Sequence, residues 1–140
     1  MKKDVTAAII EKEGRVLIAR RKHGFHLQYK WEFPGGKIEQ GETPECCLAR
    51  ELKEEFGIES TIGEFVCRSE YDYGDRTIEL LAFRVTHVAG DFHLDSHEEI
   101  QWVFPQDMAG FDFAEADKPI VEKLLQESEK APESRDKKAM

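Results

Sequence analysis

A chain of 140 residues with 40% hydrophobic content is long enough for one globular domain with its own core and too short for two. It carries 29 acidic against 20 basic residues, a formal net charge of −9, so its field repels nucleic-acid backbones and anionic membrane surfaces and argues against a polynucleotide partner. Cys46, Cys47 and Cys67 form no C-x-x-C and no even-numbered framework, and Glu11, Glu13 and Arg15 cut the first apolar run short, so neither disulfides, a zinc site, a leader nor a membrane span is indicated and a cytoplasmic location is expected.

Residues 4–11 and 15–20 are apolar, β-branched runs separated by "KEG", which predicts a hairpin. The polar stretch 21–30 reads as a loop, "WEFPGG" as a short extended segment stopped by a turn, and "KIE" as another brief strand. Thr43 as N-cap, Pro44 at the first helical position, Glu45 in the first turn and Gly57 as terminator predict a helix over 44–56. Leu48, Leu52 and Phe56 form its apolar stripe, while Glu51, Glu54 and Glu55 share a neighbouring face. Two long strands follow around "GD", then a short strand over 100–104 and a second helix over 116–128. The charged residues 129–140 read as a frayed tail, leaving one domain over 1–128. Strands mixed with two helices predict an α/β (α+β) sandwich, a mixed sheet between helices.

Like charges three and four apart on a helix repel one another in water by a few tenths of a kcal/mol per pair. In most proteins such a face is a solvated surface, and Arg50 with Glu54 could be no more than an exposed ion pair. Here the face follows a Gly-Gly turn, with Glu42 just ahead of the N-cap. Carboxylates crowded beside a close-approach loop suit a hard divalent cation.

Gly36, five residues, Glu42, seven residues and then Arg50-Glu51-Leu52-Lys53-Glu54-Glu55-Phe56-Gly57-Ile58 matches nine fixed positions over 23 residues. This resembles the complete signature of the Nudix hydrolases, and "WEFPGGKIEQGETPE" is most similar to their small MutT-like subgroup, which includes cytidine triphosphate and 8-oxo-dGTP pyrophosphohydrolases. The resemblance implies the Nudix α/β/α sandwich and the hydrolysis of a small nucleoside triphosphate to monophosphate and pyrophosphate. It implies Mg²⁺, with Mn²⁺ as an alternative ion, bound by Glu51, Glu54, Glu55 and the Gly35 carbonyl. One carboxylate, Glu51 by preference, would activate water, Arg50 would orient a carboxylate, Glu42 would support the loop, and Lys37 would assist at phosphate. A monomer or homodimer suffices for such chemistry. An intact signature argues against a binding module that has lost catalysis.

The resemblance also implies substrate-binding roles for Gly35 and Gly36 in the loop, for Arg21 at phosphate and for Phe33 at the base. Against these stand a solvated strand end for Arg21 and a core position for Phe33. Relatives often carry another metal-binding Glu six residues before the tryptophan matching Trp102; here that residue is Ser96, with Asp95 and Glu98 as candidate substitutes. His97 is not counted as a ligand, and His26 is a candidate for the substrate entrance. Asp117 stands where the 8-oxo-dGTP enzyme has Asn. An ionised aspartate only accepts hydrogen bonds and suits the cytosine amino group, which favours cytidine nucleotides; the alternative is a simple N-cap of the last helix.

Overall fold

The computed structural model describes residues 2–24 and 27–130, the side chain of Lys130 excepted. In chain order the elements are β1 (Lys2–Lys12), β2 (Arg15–Arg21), β3 (Trp31–Glu32), α1 (Pro44–Phe56), β4 (Glu59–Asp72), β5 (Thr77–Ala89), β6 (His97–Val103) and α2 (Lys118–Lys130), with short 3-10 turns at Pro105–Gly110 and Glu115–Asp117. Glu13 and Gly14 both have positive φ, 53° and 82°, the two-residue turn whose twist suits a hairpin. Yet β1 and β2 pair only at Glu11–Val16 and Lys12–Arg15, next to that turn.

Beyond the turn the two strands part. β1 runs parallel to β5 from Lys2–Thr77 to Ile10–Val85, and β5 pairs antiparallel with β4. β2 pairs antiparallel with β6 along one edge and with β3 at its far end. The gap between the parting strands opens the sheet, and there the glycine loop enters.

Both faces of the sheet are covered, which is why its central strands read as continuous apolar runs. Ala7, Ile9, Val16 and Ile18 pack with Ile120, Val121 and Leu124 of α2, whereas Ala8, Ile10, Leu17 and Ala19 pack with Leu48, Leu52 and Phe56 of α1. Each fully buried Leu or Phe contributes roughly 1.5–3 kcal/mol, enough for the α1 stripe to fix which way the helix turns its acidic side. Thr43 Oγ1 accepts from the Cys46 N–H at 3.1 Å, and Gly57 at φ 72° returns its N–H to the Lys53 carbonyl. The predicted helix and sandwich hold to the residue and to the layer.

Several details differ from the sequence reading; among them, the last helix begins at Lys118 rather than at 116, with Asp117 in the 3-10 turn before it. β6 begins at His97 rather than at 100, because backbone pairing with β2 extends a strand whose first residues are charged. The brief strand expected at "KIE" reduces to one bridge between Lys37 and Val5. α2 runs through Lys130, past the tail boundary set at 129, and residues 131–140 and His26 lie outside the described part.

Candidate active site

The segment from Pro34 to Ile38 fills the gap by pairing with the edge of β1 that β2 leaves. Ala8 N–H donates to the Pro34 carbonyl at 2.6 Å, Thr6 N–H to that of Gly36 at 2.8 Å, and Ile38 N–H to that of Asp4 at 3.0 Å. At two glycines a neighbour comes too close for a side chain, fixed backbone in one case and a movable carboxylate in the other. A Cβ on Gly35 would sit 1.9 Å from the Thr6 carbonyl oxygen, and one on Gly36 would sit 2.2 Å from Glu51 Cδ. The sequence suggests glycines that admit a ligand; in the fold they admit β1 and Glu51. Gly36 nevertheless joins the loop to the signature helix.

Arg50 organises that helix face. Its Nε and Nη2 donate to the two oxygens of Glu42 at 2.6 and 2.9 Å, and its Nη1 donates to Glu51 and Glu54, both at 3.0 Å. The same guanidinium reaches the Lys37 carbonyl at 3.4 Å, and the Cys47 thiol donates to that carbonyl at 3.3 Å. The paired guanidinium, with the Glu39 N–H, holds the Glu42 carboxyl far below its ordinary value, at about 2, and Glu42 in turn raises Arg50. Burial pushes Glu51 upward against the pull of Arg50, helped by repulsion from Glu55 and Glu54. Side-chain exposure separates the acids: 15% for Glu51 and 59% for Glu54.

Glu55 is half-buried and accepts a hydrogen bond from the Ser96 hydroxyl. Ser96, where a further acid is absent, therefore reaches the acidic face as a neutral donor. Of the suggested substitutes, Glu98 is turned to Arg20 at 2.8 Å, and Asp95 is exposed, its backbone carbonyl accepting from Lys22 at 3.1 Å. Among the described residues, no three His, Cys, Asp or Glu side chains converge closely enough to enclose an ion. The donor set nonetheless fits a hard divalent cation, which takes a few carboxylate oxygens from protein and the rest from phosphate and water. The Gly36 carbonyl is engaged by Thr6, whereas that of Gly35 takes part in no hydrogen bond among the described residues. Lys37 is exposed at the mouth of the loop.

At the other end of the loop lies a cleft of about 170 Å³, lined by Val5, Ile78, Leu80 and Tyr73 and by the polar Arg21, Glu32, Arg76 and Asp117. Arg21 Nη1 donates to both Glu32 oxygens at 3.2 and 3.1 Å, so Arg21 reaches the cleft through a carboxylate rather than ending in solvent. Asp117 is 5% exposed, and its Oδ2 accepts the Phe33 backbone N–H at 3.0 Å. Burial, then repulsion from Glu32, pushes its carboxyl well above the ordinary aspartate value, outweighing the Phe33 N–H and Arg21. This direction weighs against the premise of an acceptor-only Asp117: with Oδ2 accepting from Phe33, Oδ1 is the oxygen on which a proton would make the acid a donor.

Phe33 is also corrected. Its ring is 3% exposed, stacks on Phe113 at 5.4 Å and does not line the cleft; only its N–H serves there, by holding Asp117. Two contributors escape a reading of the sequence. Glu32 precedes the turn in an ordinary strand position, and His97, set aside as a ligand in the sequence, has its Nε2 2.7 Å from Glu32 Oε2.

A carboxylate face gathered by one arginine thus stands at one end of a close-packed loop, and an apolar cleft ending in a buried acid stands at the other. The sequence matches the family model for the NUDIX domain over residues 1–124, and the chain belongs to the Nudix family. It is 37% identical over 122 residues to the CTP pyrophosphohydrolase of Escherichia coli (strain K12), covering 87% of this chain and 90% of that one. To the 8-oxo-dGTP diphosphatase of the same organism it is 36% identical over 126 residues, covering 89% and 98%. The crystal structure of the MutT protein from Methanosarcina mazei Go1 superposes with a TM-score of 0.82 at 25% identity, covering 91% of this chain and 95% of that one. The chain is thus a Nudix pyrophosphohydrolase that acts on small nucleotide substrates, in a family that generally works with a divalent metal.

Proposed function

We propose that the chain hydrolyses cytidine triphosphates, CTP, dCTP or base-modified forms, to monophosphate and pyrophosphate with Mg²⁺. The observation that carries the choice of base is the buried Asp117, its Oδ2 occupied by the Phe33 N–H, in one cleft with Glu32; protonated, its Oδ1 donates beside Glu32 as acceptor. Adjacent donor and acceptor suit the cytosine edge, where N3 accepts and the exocyclic amino group donates.

Glu51, Glu54, Glu55 and the Gly35 carbonyl would hold the cation, which when bound neutralises phosphate charge and lowers the pKa of a coordinated water. The protein's own groups do the rest. Arg50 keeps Glu51 and Glu54 turned toward one another despite their like charge, Lys37 meets phosphate oxygens, and Arg21 with Glu32 borders the sugar and base. Glu51 is the most sheltered of the carboxylates held by Arg50, and burial raises its proton affinity, the direction a water-activating base needs.

The 8-oxo-dGTP reading keeps a place because an unionised aspartic acid offers a donor and an acceptor, as Asn does. The discriminating measurement is pyrophosphate release from CTP, dCTP, 5-methyl-dCTP, 8-oxo-dGTP and ADP-ribose with Mg²⁺. The highest kcat/KM is expected for a cytidine nucleotide; a maximum at 8-oxo-dGTP replaces the proposal by its alternative, and no turnover of any member reduces the protein to a binding module.

A further inference from the structure

β2 and β6 lose register between Arg20 and Arg21: Glu99 lies opposite Arg20, but His97 rather than Glu98 lies opposite Arg21. One extra residue in β6 therefore changes which side chain shares a face with Arg21. Glu32 pairs with Ala19, two residues from Arg21, so Glu32, Arg21 and His97 stand on one side of the sheet. Without the bulge a carboxylate, Glu98, would meet Glu32 there. With it an imidazole does.

His97 is 4% exposed and makes two contacts that tie the halves of the site together. Nε2 lies 2.7 Å from Glu32 Oε2, and the ring stacks on Phe56, the last residue of α1, at 5.3 Å and 18°. Nδ1 is buried without a hydrogen-bond partner among the described residues. A hydrogen on Nδ1 would be a buried donor left unpaired, so the proton belongs on Nε2, donating to Glu32. The neighbouring Ser96 hydroxyl donates to Glu55, so consecutive side chains at the start of β6 hold one carboxylate in each half.

We infer that His97 is a positioning residue for base selection: its Nε2–H fixes Glu32 in the cleft beside Asp117, and its stacking on Phe56 sets that carboxylate relative to the cation-binding face of α1. The inference rests on the nucleotide reading above. It assigns His97 no contact with substrate and no metal. Its effect is to keep Glu32 from turning toward Arg21 alone, which would remove the acceptor adjacent to Asp117.

The test compares His97→Leu, which fills the space without a donor, with His97→Gln, whose Nε2 amide keeps an N–H at the same reach. For the preferred nucleotide, His97→Leu is expected to raise KM about tenfold with kcat within about threefold, the cost of a lost hydrogen bond to a charged group. His97→Gln is expected to bring KM back to within about threefold of the wild type. Equal KM values for the two variants, or a loss confined to kcat, overturn the inference, as does a common fall in melting temperature with KM unchanged. An independent readout is the ¹⁵N spectrum of His97 in the free protein, expected to show protonated Nε2 and bare Nδ1, with the Nε2–H resonance moving in Glu32→Gln. If the wild type turns over no nucleotide, the functional reading fails on its own, and a His97 signal indifferent to Glu32→Gln then overturns this inference separately.

Discussion

Carboxyl groups serve both halves of the site, and their surroundings shift Glu42 and Asp117 in opposite directions. On α1 a guanidinium stands within 3.0 Å of Glu42, Glu51 and Glu54, and Glu42 is held at about 2. In the cleft Asp117 accepts one backbone N–H, and burial, then repulsion from Glu32, drives its carboxyl upward. Residue type alone therefore does not decide chemical role. Arg50 holds Glu42 low, whereas burial raises Asp117 and, against the pull of the same arginine, Glu51.

The contrast breaks most visibly on the helix side. Glu55→Gln or Glu54→Gln is expected to lower kcat at saturating Mg²⁺ by about a thousandfold, since an amide is a poor ligand for a hard cation. Turnover retained in both variants would remove the cation role from this face. Gly36→Ala comes next: its methyl would stand 2.2 Å from Glu51 Cδ, so the carboxylate must move. A loss of about a hundredfold in kcat/KM is expected, with near wild-type circular dichroism.

On the cleft side Asp117→Leu should lower kcat/KM for CTP about tenfold, whereas Asp117→Asn, which keeps a donor and an acceptor, should leave the ratio of CTP to 8-oxo-dGTP within about threefold. A strong shift of that ratio in Asp117→Asn would mean that Asp117 works as an anion and would erase the contrast. The smallest effects are on stability against pH. Because the Asp117 carboxyl is raised in the folded state, its stabilising contribution is present below the ordinary aspartate value and lost as pH rises through the folded value. Asp117→Asn should therefore melt higher than the wild type at neutral pH and lose that advantage in acid. Glu42 runs the other way: lowered from 4.5 to about 2, it contributes fully above pH 4.5 and loses its contribution as pH falls toward 2. The difference in melting temperature between wild type and Glu42→Gln should shrink across that window.

The helix over 44–56 is legible in the sequence because its determinants are local: Thr43, Pro44, Gly57 and an apolar stripe lie within one stretch of chain. The start of β6 is not. His97, Glu98 and Glu99 look like a polar loop, and only pairing with β2, some eighty residues earlier in the chain, makes them a strand. The same holds for Phe33, an aromatic beside the glycine loop, whose ring Phe113 draws into the core.

By itself the sequence determined the fold class, the acidic helix face and the family, since the signature residues sit at fixed separations on one helix and one loop. Tertiary structure alone decided that Gly36 makes room for Glu51, that Ser96 serves Glu55, that His97 meets Glu32 and that Asp117 is buried against the Phe33 N–H. Each of those depends on burial or on a partner brought from a distant element, and the energy of a charge depends on its surroundings far more than on its neighbours in the chain.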